Sequence, residues 1–192
     1  MFIELDQFPQ LQNMVKHVDI LAVEFENQYK KTSLLHEFLT SKPGQFVPTH
    51  IEYWTRENGI YPDQIGYTAE DVALVAFPIF KKGFPIKWYD PQTAFPKLYS
   101  EITAINGLNF SAFFRLSPGL EVLEHAHNQA NYIFHLCLFD IDGESKLIVN
   151  GHEKILKKKG DYALFDYSLP HSSINNSKTE RINLVVDFTP QK

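Results

Sequence analysis

The chain lacks the features that mark membrane, secreted and nucleic-acid-binding proteins. Its one cysteine, Cys137, excludes an internal disulfide and fits a reducing cytoplasm. No apolar run approaches the roughly 18 residues that a membrane-spanning helix needs, and Glu4 and Asp6 stand where a signal peptide would be basic. The net charge is −5 and the one basic block is 157–159, which argues against a nucleic-acid partner. We therefore expect a cytoplasmic protein with neither a membrane span nor a nucleic-acid partner.

The chain does contain enough apolar residues for one packed domain over 1–192. Hydrophobic residues make up 44% and aromatic residues 14% of the sequence, which suffices for a core and argues against disorder. Apolar residues recur at helical spacing over 9–28 and over 93–105, and each stretch therefore predicts a helix. Between them, the stretch 40–63 is rich in Pro, Gly, Thr and Tyr and predicts irregular structure.

Short strand-like runs dominate the second half of the chain. An earlier apolar run, 72–80, predicts a strand that Pro78 bends or ends. The dipeptide Asn150-Gly151 between two apolar runs predicts a two-residue hairpin turn. The further predicted strands are 109–116, 120–125, 131–139, 145–149, 152–157, 161–166, 171–175 and 181–188.

This order of elements predicts a mainly β protein with added helices, of the α+β class. Eight short strands after a helical beginning are typical of a jelly roll with the N-terminal helices packed outside it. We divide the chain into a helical and irregular lead-in over 1–106 and a jelly-roll core over 107–190, and we expect any metal site to lie in the core.

Two histidines and an arginine are the candidate functional residues of this core. His125 and His171 each stand at the edge of a predicted strand, and Arg181 begins the last one. Two imidazoles from separate strands can hold a divalent metal. An arginine can bind a carboxylate through two parallel hydrogen bonds. The three residues together suggest a non-haem iron site with an acid co-substrate beside it.

Further residues stand in register with this trio. The chain reads Leu116, Pro118, Gly119 and His125, then His135, Leu136 and Leu138, then Phe165, Asp166 and His171, and finally Arg181. In this order and spacing the chain resembles the aspartyl/asparaginyl β-hydroxylase family of iron(II)- and 2-oxoglutarate-dependent oxygenases. The resemblance runs from Phe110 to Phe188, and a weaker similarity begins near Gly83.

The resemblance implies a fold, a metal and a co-substrate. It implies a double-stranded β-helix in which His125 and His171 bind iron(II), with 2-oxoglutarate and O₂ as co-substrates. Arg181 would bind the distal carboxylate of 2-oxoglutarate, and His135 would contact the co-substrate or orient its carboxylate. The implied activity is that of a dioxygenase that hydroxylates an amino-acid side chain, a peptide or a related small substrate.

Three positions depart from the family pattern. Many members have an acidic residue, and others a glycine, where this chain has His127; Ile133 replaces a usual arginine, and Phe114 replaces a common serine. His127 is either a third metal ligand, since it shares the side of an extended segment with His125, or a hydrogen-bonding residue of the polar turn that begins at Asn128. The turn role is favoured, because members with two histidine ligands already function.

Alternative functions follow from these departures. Phe114 and Ile133 favour a three-histidine iron oxygenase that does not use 2-oxoglutarate. A cupin-type metal-binding isomerase or small-molecule binding module is the second alternative, and a barrel without iron that serves as an interaction domain is the third. The sequence specifies neither the substrate nor the oligomeric state. Aromatic residues of the lead-in are expected to cover the site: Tyr53, Trp54, Tyr61, Trp88 and Tyr89.

Overall fold

The computed structural model describes residues 1–31, 52–55, 72–86, 90–116 and 118–191. Short helices lie in the N-terminal half of the chain. They are a 3-10 turn at Leu5–Gln7, α1 (Pro9–Lys16), α2 (Val18–Lys31), α3 (Pro91–Ala94) and α4 (Pro96–Thr103).

The strands form two antiparallel sheets. They are β1 (Glu52–Thr55), β2 (Val72–Lys81), β3 (Leu108–Leu116), β4 (Leu120–His125), β5 (Tyr132–Cys137), β6 (Ser145–Val149), β7 (His152–Ile155), β8 (Tyr162–Asp166), β9 (His171–Asn175) and β10 (Arg181–Phe188). The six-stranded sheet has the order β1-β2-β3-β10-β5-β8, and the four-stranded sheet has the order β4-β9-β6-β7. Two facing sheets with these crossovers are the predicted jelly roll, and the fold class is confirmed.

Strand β10 divides its side chains between two cores. Successive residues of a strand point to opposite faces of the sheet. Leu184 and Val186 join an outer cluster that also holds Leu21 of α2 and Leu98 of α4. Val185 joins an inner cluster whose members come from both sheets. The helices therefore cover the outside of the six-stranded sheet, as predicted, and its inner face looks into the barrel.

The register of the six-stranded sheet sets rows of side chains across this inner face. Phe110 lies opposite Asp187 on one side, and Ile133 lies opposite Asp187 on the other. Six residues earlier on β10, Arg181 lies opposite Leu116. Since the two charged residues are an even number of positions apart, both point to the inner face, about 20 Å apart along the strand.

Each helix predicted from the sequence is divided in two. The helix predicted over 9–28 is α1 followed by α2, with the break at His17, whose Nδ1 lies 2.6 Å from Glu101 Oε1 of α4. The helix predicted over 93–105 is broken at Phe95, which has φ −136° and ψ 62°. The ring of the following Pro96 disfavours helical backbone at the residue before it, and this explains the second break.

One predicted irregular segment contains a strand. The interpretation of 40–63 as irregular is wrong over Glu52–Thr55, which pairs with β2; the rest of that stretch lies outside the described residues. This pairing joins segments far apart in sequence, and Pro and Gly content does not reveal it. Within β2, the pairing with β3 shifts register between Pro78 and Phe80, so the proline distorts the strand as predicted.

The predicted Asn150-Gly151 turn connects β6 and β7. Val149 lies opposite His152 across it, and both turn residues have positive φ, 47° at Asn150 and 76° at Gly151. These values fit the type I′ turn that joins tightly twisted hairpins. No helix of the described ranges is long and apolar enough to cross a membrane.

Candidate metal centre

Three histidine rings meet at the edge of the four-stranded sheet. His125 ends β4 and lies directly opposite His171, which begins β9. Their ring centroids are 4.3 Å apart, and the ring of His127 lies 5.1 Å from that of His125. One nitrogen from each of the three rings lies within 4.8 Å of the others. Three imidazole nitrogens this close form a potential site for a divalent transition metal.

Backbone carbonyls fix the orientation of two of the rings. Nδ1 of His125 lies 2.7 Å from the carbonyl oxygen of Leu123. Nδ1 of His171 lies 2.7 Å from the carbonyl oxygen of Leu169. A carbonyl only accepts, so Nδ1 must carry the proton in both rings, and the lone pair is on Nε2. Histidines that bind a metal through one ring nitrogen typically donate a hydrogen bond of this kind from the other.

The ring of His127 is held differently. It stacks on Tyr167, with the ring centroids 3.9 Å apart and an interplanar angle of 18°. Its Nε2 is buried and has no hydrogen-bond partner among the described residues. A buried polar atom without a partner costs free energy, and a metal ion is one group that would use this lone pair. The histidine cluster therefore fits a metal.

Burial favours the neutral form of two of these rings, His127 and His171. Burial is the main cause that lowers the pKa of His171 to about 4, with smaller contributions from the neighbouring His125 and His127. Burial also lowers the pKa of His127, and His125 lowers it further. Only the neutral imidazole has a lone pair to offer, so His171 is in its ligating form at physiological pH.

Arg181 is a buried cation in the same cavity. Arg181 is only 3% exposed. Its Nη1 donates a hydrogen bond to the hydroxyl of Ser145 at 3.2 Å. Its Nε has no partner in the described part of the chain, where no acidic side chain forms a salt bridge with it. Burial lowers its pKa to about 10, so the guanidinium is still charged at pH 7. A buried, uncompensated cation favours an anionic ligand.

His135 lines the same cavity as Arg181 and two histidines of the cluster. Its ring stacks on Phe165, 5.9 Å between centroids, and its Nδ1 lies 3.5 Å from the side-chain amide of Asn183. Burial, followed by the charge of Arg181, holds the pKa of His135 well below its usual range. His135 is therefore a neutral hydrogen-bonding group that faces the cavity, in a place consistent with the co-substrate contact expected for it.

One narrow cavity brings four of the five predicted site residues together. Its volume is about 40 Å³, room for roughly three water molecules. His127 lies outside its lining but borders the adjoining groove. The lining residues are Phe114, Val122, His125, Ile133, His135, Leu147, Tyr167, His171, Ser172, Ser173 and Arg181.

Three neighbours of the site were not predicted from the sequence. Tyr167 follows Phe165 at the interval that places both on one side of an extended chain, and this signal could have identified it. The contacts of Ser145 with Arg181 and of Asn183 with His135 depend on how strands pack and had no sequence signal. The five aromatic residues expected to cover the site have side chains outside the described residues, so that prediction stays open.

Comparison with known proteins identifies the class. The fold is a jelly roll, and the cluster at its edge is a group of three histidines that could hold a metal ion. The sequence profile of the aspartyl/asparaginyl beta-hydroxylase family matches residues 75–190. The chain belongs to the aspartyl/asparaginyl β-hydroxylase family, and the resemblance noted from its motifs is confirmed. Among curated protein sequences none matches this chain.

Solved structures with a similar fold are distant in sequence. The cupin domain of an XRE-family transcriptional regulator from Enterobacter cloacae is 19% identical, with 62% of this chain and 99% of that chain covered and a TM-score of 0.40. The cupin domain of Cnp3 from Schizosaccharomyces pombe is 14% identical, with coverage of 65% and 74% and a TM-score of 0.42. A predicted oxalate decarboxylase from Thermotoga maritima is 25% identical, with coverage of 44% and 70% and a TM-score of 0.37.

Proposed function

We propose that this protein is a non-haem iron(II) oxygenase that hydroxylates an amino-acid side chain, a peptide or a related small molecule, with 2-oxoglutarate as co-substrate. His125, His127 and His171 would hold the iron. Arg181 would bind a carboxylate of 2-oxoglutarate, and His135 would donate a hydrogen bond to the same molecule. Family membership supports the hydroxylase chemistry. The single observation that carries the proposal is the buried guanidinium of Arg181 in the cavity that His125 and His171 also line.

The histidine cluster suits iron(II). Imidazole is a common ligand of this ion, and three neutral imidazoles leave coordination positions for other molecules. When bound, iron supplies activation of O₂ and oxidation of a C–H bond. His171 requires no proton release before it binds, because burial already holds it in the neutral form. This metal-binding role reverses the turn role favoured for His127 from sequence alone, because the buried Nε2 of His127 makes no hydrogen bond to any described residue.

Arg181 supplies both charge and orientation. A guanidinium and a carboxylate can form two parallel hydrogen bonds, which fix the plane of the acid as well as its position. Nε of Arg181, which has no partner among the described residues, is available for such a bond. The surrounding lining is largely apolar, with Phe114 and Ile133 on the wall, so water competes poorly with the acid for the guanidinium.

A three-histidine oxygenase without 2-oxoglutarate is the second candidate. The narrowness of the cavity, about 40 Å³, favours it, because a five-carbon diacid needs more room than three water molecules occupy. Phe114 and Ile133 fill part of this space where relatives have polar residues. In this candidate the acid that Arg181 binds is the molecule that is oxidised.

Succinate formation separates the two candidates. The iron(II)-loaded protein is mixed with 2-oxoglutarate and O₂, and succinate is followed by NMR, with His171→Ala as the metal-deficient control. The proposal predicts succinate in the wild-type protein and none in the control. Under argon, 2-oxoglutarate should also produce a visible charge-transfer band that Arg181→Met abolishes. Iron binding with neither succinate nor this band would contradict the use of 2-oxoglutarate and leave the second candidate.

A further inference from the structure

A second, larger concavity adjoins the metal cavity. It is an open groove of about 770 Å³, many times the size of the metal cavity. Phe114 and Tyr167 line both spaces, and His127 of the metal cluster lines the groove. A molecule in the groove would therefore lie beside the histidine cluster without entering the cavity that Arg181 lines. This arrangement provides separate places for two molecules.

Asp187 is the one acidic residue among the described residues that line the groove. It is 8% exposed and accepts a hydrogen bond from the amide of Asn109 at 3.2 Å. The amide of Asn131 also contacts its carboxylate, and burial is the main cause that raises the pKa of Asp187. Within the described ranges, no lysine or arginine forms a salt bridge with it. Asp187 thus resembles Arg181 with the sign of charge reversed: a largely buried ionisable group without a counter-ion.

The rest of the groove combines aromatic walls with a basic rim. Phe110 lies opposite Asp187 in the sheet, and its ring is 6.3 Å from that of Phe114, centroid to centroid. At the rim, Phe84 is 66% exposed, and Nζ of Lys81 lies over its ring at 5.5 Å. The ammonium of Lys81 is thereby directed toward the rim, while the carboxylate of Asp187 lies deeper.

We propose that this groove binds the molecule to be oxidised, and that Asp187 is its specificity-determining residue, which selects a substrate that carries an ammonium or similar cationic group. The proposal rests on the proposed function, since it assumes a second molecule in the Arg181 cavity. An amine bound to Asp187 gives the buried carboxylate a counter-ion, which no described lysine or arginine provides. Phe110 and Phe114 then contact the carbon skeleton of the substrate, which extends toward His127 and the metal cluster.

Three probes of equal shape and different charge test the proposal. Benzylammonium, benzyl alcohol and benzoate share one ring, and their affinities are measured by calorimetry with the full chain, iron-loaded under argon and saturated with 2-oxoglutarate. Benzylammonium should bind the wild-type protein at least about tenfold more tightly than benzyl alcohol, and Asp187→Asn should remove this preference. Asp142→Asn removes the same charge at an exposed position outside the groove and should leave it intact.

A second variant guards against a folding defect in Asp187→Asn. Gln129→Glu adds an exposed carboxylate to the groove lining, keeps an acceptor for the Asn131 amide, and should tighten benzylammonium binding severalfold. Overturning results are an unchanged benzylammonium preference in Asp187→Asn, equal affinity for all three probes, or preferred binding of benzoate that Lys82→Gln abolishes. The last result would show an anion site at the rim.

The two proposals fail in different ways. Asp187→Asn should leave the affinity for 2-oxoglutarate unchanged, and Arg181→Met should leave benzylammonium binding unchanged when both are measured without the other ligand. If the wild-type protein does not bind 2-oxoglutarate but does bind benzylammonium in an Asp187-dependent way, the proposed function is contradicted and the groove proposal is supported. If the wild-type protein binds 2-oxoglutarate but shows no Asp187-dependent benzylammonium binding, only the groove proposal is contradicted.

Discussion

Replacement of Arg181 by methionine should stabilise the metal-free protein while it removes acid binding. The free-energy cost of burying the charged guanidinium in the wild-type protein follows from the pKa of Arg181, which burial lowers from 12.5 to about 10. At about 1.4 kcal/mol per pH unit, the charged form is destabilised by about 3 kcal/mol at every pH below 10. Loss of the hydrogen bond to Ser145 offsets about 1 kcal/mol of this. We expect a net gain of about 2 kcal/mol in the free energy of unfolding.

Urea unfolding at pH 7, without metal or 2-oxoglutarate, measures the effect. A gain of about 2 kcal/mol corresponds to a rise of about 1 M in the unfolding midpoint at a typical slope of about 2 kcal/mol per M. Arg115→Met is the matched control. Arg115 is also buried, at 8% exposure, but its Nε donates to Glu180 at 2.7 Å, so its loss should destabilise the fold by about 2 kcal/mol.

The opposite signs of the two substitutions are the test. If Arg181→Met is less stable than the wild-type protein, the guanidinium has a stabilising partner within the fold and no need of an anionic ligand. Added 2-oxoglutarate provides the complementary measurement, since a ligand at a hundred times its Kd stabilises by about 2.7 kcal/mol. That increment should appear in the iron-loaded wild-type protein and be absent from Arg181→Met.

The remaining predictions concern pH and a tight turn. The folded pKa of His171, about 4, lies below its unfolded value of about 6.5, so the unfolded chain takes up the proton first. The free energy of unfolding of the metal-free protein should thus be highest above pH 6.5 and fall by about 3 kcal/mol toward pH 4. His171→Gln should remove this pH dependence. A urea midpoint of the wild-type protein that does not change between pH 6.5 and pH 4 would refute the prediction. Gly107→Ala should destabilise by more than about 3 kcal/mol, because the added Cβ would meet the Thr189 carbonyl oxygen at 2.3 Å. Gly151→Ala, with the same φ of 76° but open space, should cost only about 1 kcal/mol, and equal losses in the two variants would show that no clash occurs.

The sequence predicted the strands of the core well, because a period of two is a local signal. The bounds of β4, β6, β9 and β10 are as predicted, and the hairpin at Asn150 follows from turn chemistry alone. The strand β1 was missed because its partner β2 is distant in the chain. The helix break at Phe95 is a local effect of Pro96 that the apolar spacing concealed.

The candidate site was predicted in part for the same reason. His125 and His171 were paired from their positions at strand edges, and the structure places them opposite each other. The stacking of His127 on Tyr167 depends on how the loop after β4 meets the end of β8. Nothing in the sequence indicated that Asp187 lines a groove next to the histidine cluster, because that placement depends on how β10 packs in the sheet. Contacts between elements, and the burial that shifts a pKa, are properties of packing that no local pattern encodes.

The number of imidazole ligands on the bound iron tests the central claim most directly. X-ray absorption spectroscopy of the iron(II)-loaded protein under argon counts imidazole rings through their characteristic scattering. Three rings are expected in the wild-type protein and two in His127→Ala, with Tyr167→Phe as a control that keeps the stacked ring and all three ligands. Two rings in the wild-type protein, unchanged in His127→Ala, would contradict the three-histidine site.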